Sequence, residues 1–232
     1  METAVCDFVL QRESALYSNI GVAEKYDILE VMRIALDDLY NNDISAYNHC
    51  KQNLRASTWG ALEDAWTLWN PVPKNNGEWC GDNNMTFILS PSHKCYIDCL
   101  KRKFIQCTYD KHGSPDFSSV TYVGSVVDIS DIYDRLSVDQ IHKRGGGSES
   151  LQEIAQERMS KSLSREVIQW ANKNNIQYDP YLSFYQWRDA NNLVPHEDTN
   201  CRTMRLVYRP AHEAFKHRGG VANAINIKKH FE

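Results

Sequence analysis

No apolar run in this 232-residue chain approaches the ~18–20 residues that a helix needs to cross a bilayer. A membrane-spanning role is therefore not expected. The opening Met1-Glu-Thr-Ala-Val-Cys-Asp7 lacks the basic-then-apolar layout of a secretory signal. The expectation is a protein that stays in the cytoplasm of its producer, or leaves by a route that cleaves no signal. A complete disulfide framework is missing as well. The seven cysteines, an odd number, stand at 6, 50, 80, 95, 99, 107 and 201, which points to free thiols. Cys80, His93, Cys95, Cys99 and Cys107 have no close second pair to complete a zinc finger. There are no repeats, and Lys143-Arg-Gly-Gly-Gly-Ser148 is the one flexible, glycine-rich break.

A large positive charge is absent too, since the chain carries −4 overall. The balance is uneven. Residues 1–100 hold 7 basic and 14 acidic side chains, whereas 201–232 hold 7 basic and 2 acidic. The acidic total argues against nucleic acid. The basic C-terminal stretch argues for it, because phosphate contact needs only a local positive field.

What is present is enough material for a globular core, 42% hydrophobic and 24% charged. Ile28, Val31, Met32, Ala35, Leu36 and Leu39 recur at helical spacing and predict a helix over 22–42, closed by Asn41-Asn42-Asp43. A second helical stretch is expected near 44–69, with Trp59, Trp66 and Trp69 as core anchors. Residues 70–77 and 111–116 read as loops. Short strands are expected at Met85–Leu89 and Phe104–Tyr109, and a longer one at Val120–Ile129, before a helical turn at Ser130–Leu136. Ser150-Leu-Gln-Glu153 is a capping-box pattern, and it predicts one helix running to Asn174-Asn175. A short helix follows over Tyr181–Asn191. The end reads as loop, strand (Met204–Tyr208) and helix (Ala211–His217).

That end carries the chemistry. His196, His212 and His217 fall within 22 positions, with Glu197 and Asp198 beside the first and Gly219-Gly220 after the last. Hydrolysis of a phosphodiester needs a base to activate water, a divalent cation to stabilise developing charge, and cationic donors for the phosphate. His196 suits the base because imidazole titrates near neutrality. His217 and His212 suit the metal. Glu197 or Asp198 can add an oxygen ligand or orient an imidazole. Arg202, Arg205 and Arg218 are placed to grip phosphate. Residues five apart on a regular helix are rotated by about 140° and separated by ~7.5 Å along the axis. His212 and His217 therefore cannot share one ion from an undistorted helix, and one of them is expected at the helix entry or in the preceding loop. Gly219-Gly220 reads as a helix C-cap, as a close approach to phosphate, or as both. His49, His93, His112, His142 and His230 are read as ordinary surface or core histidines.

The run LVPHEDTNCRTMRLVYRPAHEAFKHRGGVANA (193–224) resembles the C-terminal core of HNH/endonuclease VII-type toxin nucleases, within the His-Me finger (ββα-metal) group of bacterial polymorphic toxins. His212, His217, Gly219 and Gly220 match its His-x4-His-x-Gly-Gly pattern. NPVPKNNGEWCGDNNMTFILSP (70–91) and YDKHGSPDFSSV (109–120) are similar to segments that precede such domains. Many members have two adjacent histidines where this chain has His196-Glu197. The resemblance then leaves the base role to His196 and the missing ligand to Glu197 or water, and an oxygen-richer shell favours Mg²⁺ or Mn²⁺ over Zn²⁺.

The resulting expectation is an α+β protein. A mainly helical region, 1–69, with a shielding, delivery or partner-binding role would precede a nuclease domain, 70–232, whose ββα-metal core spans 193–224. The resemblance implies a metal-dependent endonuclease acting as an antibacterial or effector toxin delivered into target cells. Its cofactor would be Mg²⁺, Mn²⁺ or Zn²⁺, and DNA would be favoured over RNA. The catalytic residues would be His196, Glu197 and His212, the metal ligands His217, His212 and Glu197, and the implied partner a cognate immunity protein. The rival expectation is a non-catalytic nucleic-acid or protein binding module on a degenerate nuclease fold.

Overall fold

The computed structural model describes residues 2–68, 73, 75–81, 85–110, 113–142, 150–217 and 219–232. Trp69, the glycine-rich break at 143–148, His112 and Arg218 lie outside them.

Four helices come first: α1 (Glu2–Leu16), α2 (Val22–Asn42), α3 (Ile44–Asn53) and α4 (Ala56–Leu68). Asp43 separates α2 from α3, and its carboxylate accepts from the Ser45 and Ala46 amides at 3.0 and 2.9 Å. That caps the orphan donors of α3. The stretch expected near 44–69 is thus two helices, broken at Leu54-Arg55, where Glu13 on α1 accepts from the Arg55 amide at 2.8 Å. Trp59 and Trp66 pack against the core, as expected of anchors. The strands β1 (Gly77–Cys80), β2 (Thr86–Leu89) and β3 (Gln106–Thr108) form one antiparallel sheet, with α5 (Tyr96–Lys101) between the last two.

The strand expected over Val120–Ile129 is mostly irregular. A 3₁₀ turn covers Ser118–Val120, and only β4 (Val127–Asp128) pairs in a sheet. Next come α6 (Ser130–Arg135) and α7 (Val138–His142). The helix expected from Ser150 starts where its cap requires, with Ser150 Oγ accepting from the Glu153 amide at 3.3 Å. It divides at buried Leu163 into α8 (Leu151–Ser162) and α9 (Ser164–Lys173). The sequence has no proline or glycine at that break. α10 (Leu182–Ala190) matches its expectation.

The segment expected as a loop after α10 is instead β5 (Leu193–Glu197), paired antiparallel with β6 (Thr203–Tyr208) in a sheet of order β4-β6-β5. Then follow α11 (Arg209–Ala214) and α12 (Gly220–Phe231). The molecule is therefore α+β, largely helical with two small antiparallel sheets among the described residues.

β6 divides two apolar cores. Met204 and Leu206 face a large helical core that draws on α1–α4, α6–α10 and α12. Val207, one residue out of phase, faces a smaller core of Phe87, Cys99, Phe104, Tyr109, Phe117 and Phe215. This is strand alternation at work. The large core joins residues from both sides of position 69, so the helical stretch 1–69 does not pack as a body of its own. No helix among the described residues is long and apolar enough to cross a membrane.

Candidate metal centre

The unit β5-β6-α11 brings the three C-terminal histidines together. His196 is the fourth residue of β5, His212 lies on α11, and His217 lies three residues beyond its end. One ligand nitrogen from each falls within 4.8 Å of the other two. This is the one group of three or more metal-capable side chains among the described residues, and it could hold a metal ion. The five-residue offset of His212 and His217 is resolved differently from the sequence expectation. α11 stops at Ala214, Phe215 leaves helical geometry at φ −101°, ψ 85°, and the chain turns His217 back toward His212. The displaced histidine follows the helix rather than entering it.

The floor of the cluster is Phe117. Its buried ring stands 5.1, 6.0 and 5.5 Å, centroid to centroid, from His196, His212 and His217. The imidazoles themselves are 4.6–5.5 Å apart. Phe117 was not singled out as a site residue, although it closes the Gly113-Ser-Pro-Asp-Phe117 segment that carried part of the resemblance. Its ring packs against all three imidazoles.

A hydrogen bond fixes which nitrogen of His217 is available to a ligand. His217 Nδ1 lies 3.0 Å from the Phe215 carbonyl, so Nδ1–H donates there and Nε2 is left for a ligand role. His196 is 4% exposed, and its Nε2 faces Asp198 Oδ1 at 3.5 Å. Its buried Nδ1 has no hydrogen-bond partner among the described residues. A buried ring nitrogen without a partner is costly, and a bound cation would satisfy it. Asp198 is itself held. Its Oδ2 accepts from Arg205 Nε and Nη2 at 3.0 and 2.6 Å and from the Thr203 hydroxyl.

Burial, and then the charges that His217, His212 and Arg205 would present, push the His196 imidazole down to about 2. Burial also lowers His217, partly offset by its bond to the Phe215 carbonyl. Both rings are therefore neutral at physiological pH, the form that binds metal. Three imidazoles make a nitrogen donor set, suited to Zn²⁺ and other first-row transition ions over Mg²⁺.

Other expected site residues fall elsewhere. Glu197 is next to His196 on a strand, so its side chain takes the opposite face. Its carboxylate sits beside Gly219, at the N-terminus of α12, where the helix dipole favours negative charge. It is not part of the histidine group. Arg202 forks onto Asp27 of α2 at 2.8 and 2.5 Å. Arg205 is committed to Asp198. Gly219-Gly220 begins α12 and does not cap α11. Its close approach is to protein: a Cβ at Gly220 would stand 2.3 Å from the Asp198 carbonyl, and one at Gly219 would stand 3.0 Å from the Glu197 carbonyl. Lys216, exposed beside His217, is a further cation at the site, absent from the expected phosphate contacts. The cysteines are all free, and none joins a metal-capable group among the described residues.

In comparisons with known proteins, the chain matches no family model, no curated protein and no solved structure.

Proposed function

We propose that this protein is a metal-dependent endonuclease that hydrolyses phosphodiester bonds, with DNA the preferred substrate. The observation that carries the reading is the convergence of His196, His212 and His217 on a strand–strand–helix unit. That order of elements agrees with the resemblance of residues 193–224 to the ββα-metal nucleases.

In this reading His196 moves from base to ligand. Its orphaned Nδ1 points to that role, and so does its exchange of Nε2 contact with Asp198. A bound divalent ion would stabilise charge developing on the phosphate and on the attacking water. The residues supply the rest. Asp198 and the Phe215 carbonyl set the imidazole orientations, Phe117 excludes water from beneath, and exposed Lys216 offers a cation for the phosphate. His196, His212 and His217 would hold the ion through three nitrogens and leave room for water or substrate, as catalytic sites require. Deployment as a toxin restrained by an immunity protein rests on the resemblance alone.

The test is nicking of supercoiled plasmid by purified protein with Zn²⁺, Mn²⁺ or Mg²⁺, with and without EDTA. Cleavage is expected with a transition ion, to stop with EDTA, and to fall by roughly 100-fold or more in His217→Ala. Absence of cleavage of DNA and RNA with every metal would sink the enzyme reading. One observation favours a second reading, a non-catalytic metal-binding module: Arg202 and Arg205 are committed to Asp27 and Asp198. That module would bind metal at the same histidines and cleave nothing.

A further inference from the structure

A cleft of about 580 Å³ opens far along the chain from the histidines, between the α1–α2 connection, α6 and the end of α12. Lys25 forms part of its wall and is only 6% exposed. Its Nζ makes no hydrogen bond or ion pair with any described residue. The stem is buried while Nζ keeps contact with water at the cleft wall. Lys25 is the fourth residue of α2, in the first turn, where the helix dipole disfavours a cation.

The carboxylates around the cleft do not answer it. Asp134 accepts from the Val22 amide at 2.8 Å and caps α2 from α6. Glu232 is taken by Lys228 Nζ at 2.8 and 2.7 Å. Neither pairs with Lys25. The fold thus holds an unpaired cation at the wall of a space of small-molecule size.

We propose that this cleft binds a small polar molecule through an oxyanion group, phosphate or carboxylate, paired with Lys25. Asn19 adds an amide at the rim, and Asp134 and Glu232 provide acceptors for hydroxyl or amine groups on the same molecule. The aromatic wall is Tyr17 against Phe231, ring centroids 5.5 Å apart. This site is independent of the histidine cluster.

The test follows backbone amide shifts while inorganic phosphate, and separately acetate, is titrated against a chloride control at matched ionic strength. Saturable shifts at the Gly21, Val22 and Lys25 amides are expected with at least one oxyanion and not with chloride. Lys25→Met should weaken that binding by about tenfold or more, the scale of one charge-assisted hydrogen bond, while Lys25→Arg retains it. With no oxyanion present, Lys25→Met should melt at the same or a higher temperature. No saturable shifts at those amides, equal affinity in Lys25→Met, or a lower melting temperature for that variant would each overturn the site.

Discussion

Asp198 Oδ1 faces His196 Nε2 at 3.5 Å, while Arg205 and Thr203 hold the other carboxylate oxygen. With Nε2 toward Asp198, Nδ1 is the ring nitrogen left over for a metal. Asp198→Ala is therefore expected to weaken Zn²⁺ binding by roughly 10–100-fold, the usual effect of losing a partner behind a histidine ligand. Asp198→Asn keeps an acceptor and should recover part of it. Calorimetric titration of both variants measures this. Unchanged affinity in Asp198→Ala would place His196 Nε2, not Nδ1, toward the ion.

Stability of the metal-free protein should depend on pH through His196. Its folded value of about 2 lies below the 6.5 of an unperturbed histidine. The unfolded chain therefore binds more protons across that interval, and stability falls as pH drops below about 6.5. The loss between pH 7 and pH 5 from this one group is about 2 kcal/mol. Urea denaturation in EDTA at the two pH values reads it, and His196→Gln should flatten the dependence.

The close approach at the start of α12 has its own consequence. A methyl group at Gly220 would meet the Asp198 carbonyl at 2.3 Å, and backbone cannot yield as a flexible side chain can. Gly220→Ala should cost at least about 1–3 kcal/mol, the range for overpacking, and should also lower metal affinity by displacing Asp198. Thermal melts with and without Zn²⁺ separate the two effects.

The role of Arg202 can be decided by substitution. Its pair with Asp27 is half-exposed and worth only about 0–1 kcal/mol. Arg202→Ala should thus leave both stability and plasmid nicking nearly unchanged, whereas Lys216→Ala should reduce nicking and its salt sensitivity. A large loss of cleavage in Arg202→Ala would return that arginine to the phosphate.

The parts of this arrangement that the sequence disclosed are those with local signals. Helical spacing gave α2 its length, Ser150 gave α8 its start, and the density of histidines located the cluster. What stayed hidden depends on contacts between distant segments. Pro195 and the polar residues 196–198 break the apolar strand pattern of β5, yet pairing with β6 supplies its hydrogen bonds. Glu197 was grouped with His196 by adjacency, and the period-two alternation of that same strand separates them. Arg202 and Arg205 were read as phosphate grips because their partners could not be seen: Asp27 is 175 positions away, and Asp198 is across a hairpin. Phe117 reaches the histidines only through the packing of the smaller core.

Co²⁺ titration followed by visible absorption tests the three-histidine centre most directly, since the intensity of the d–d bands reports nitrogen donors in low coordination. One ion per chain should bind, with bands typical of a four- or five-coordinate site. The bands should vanish in His196→Ala, His212→Ala and His217→Ala alike. If His196→Ala binds Co²⁺ with the same affinity and spectrum as the unaltered protein, His196 is not a ligand and the three-histidine centre is wrong.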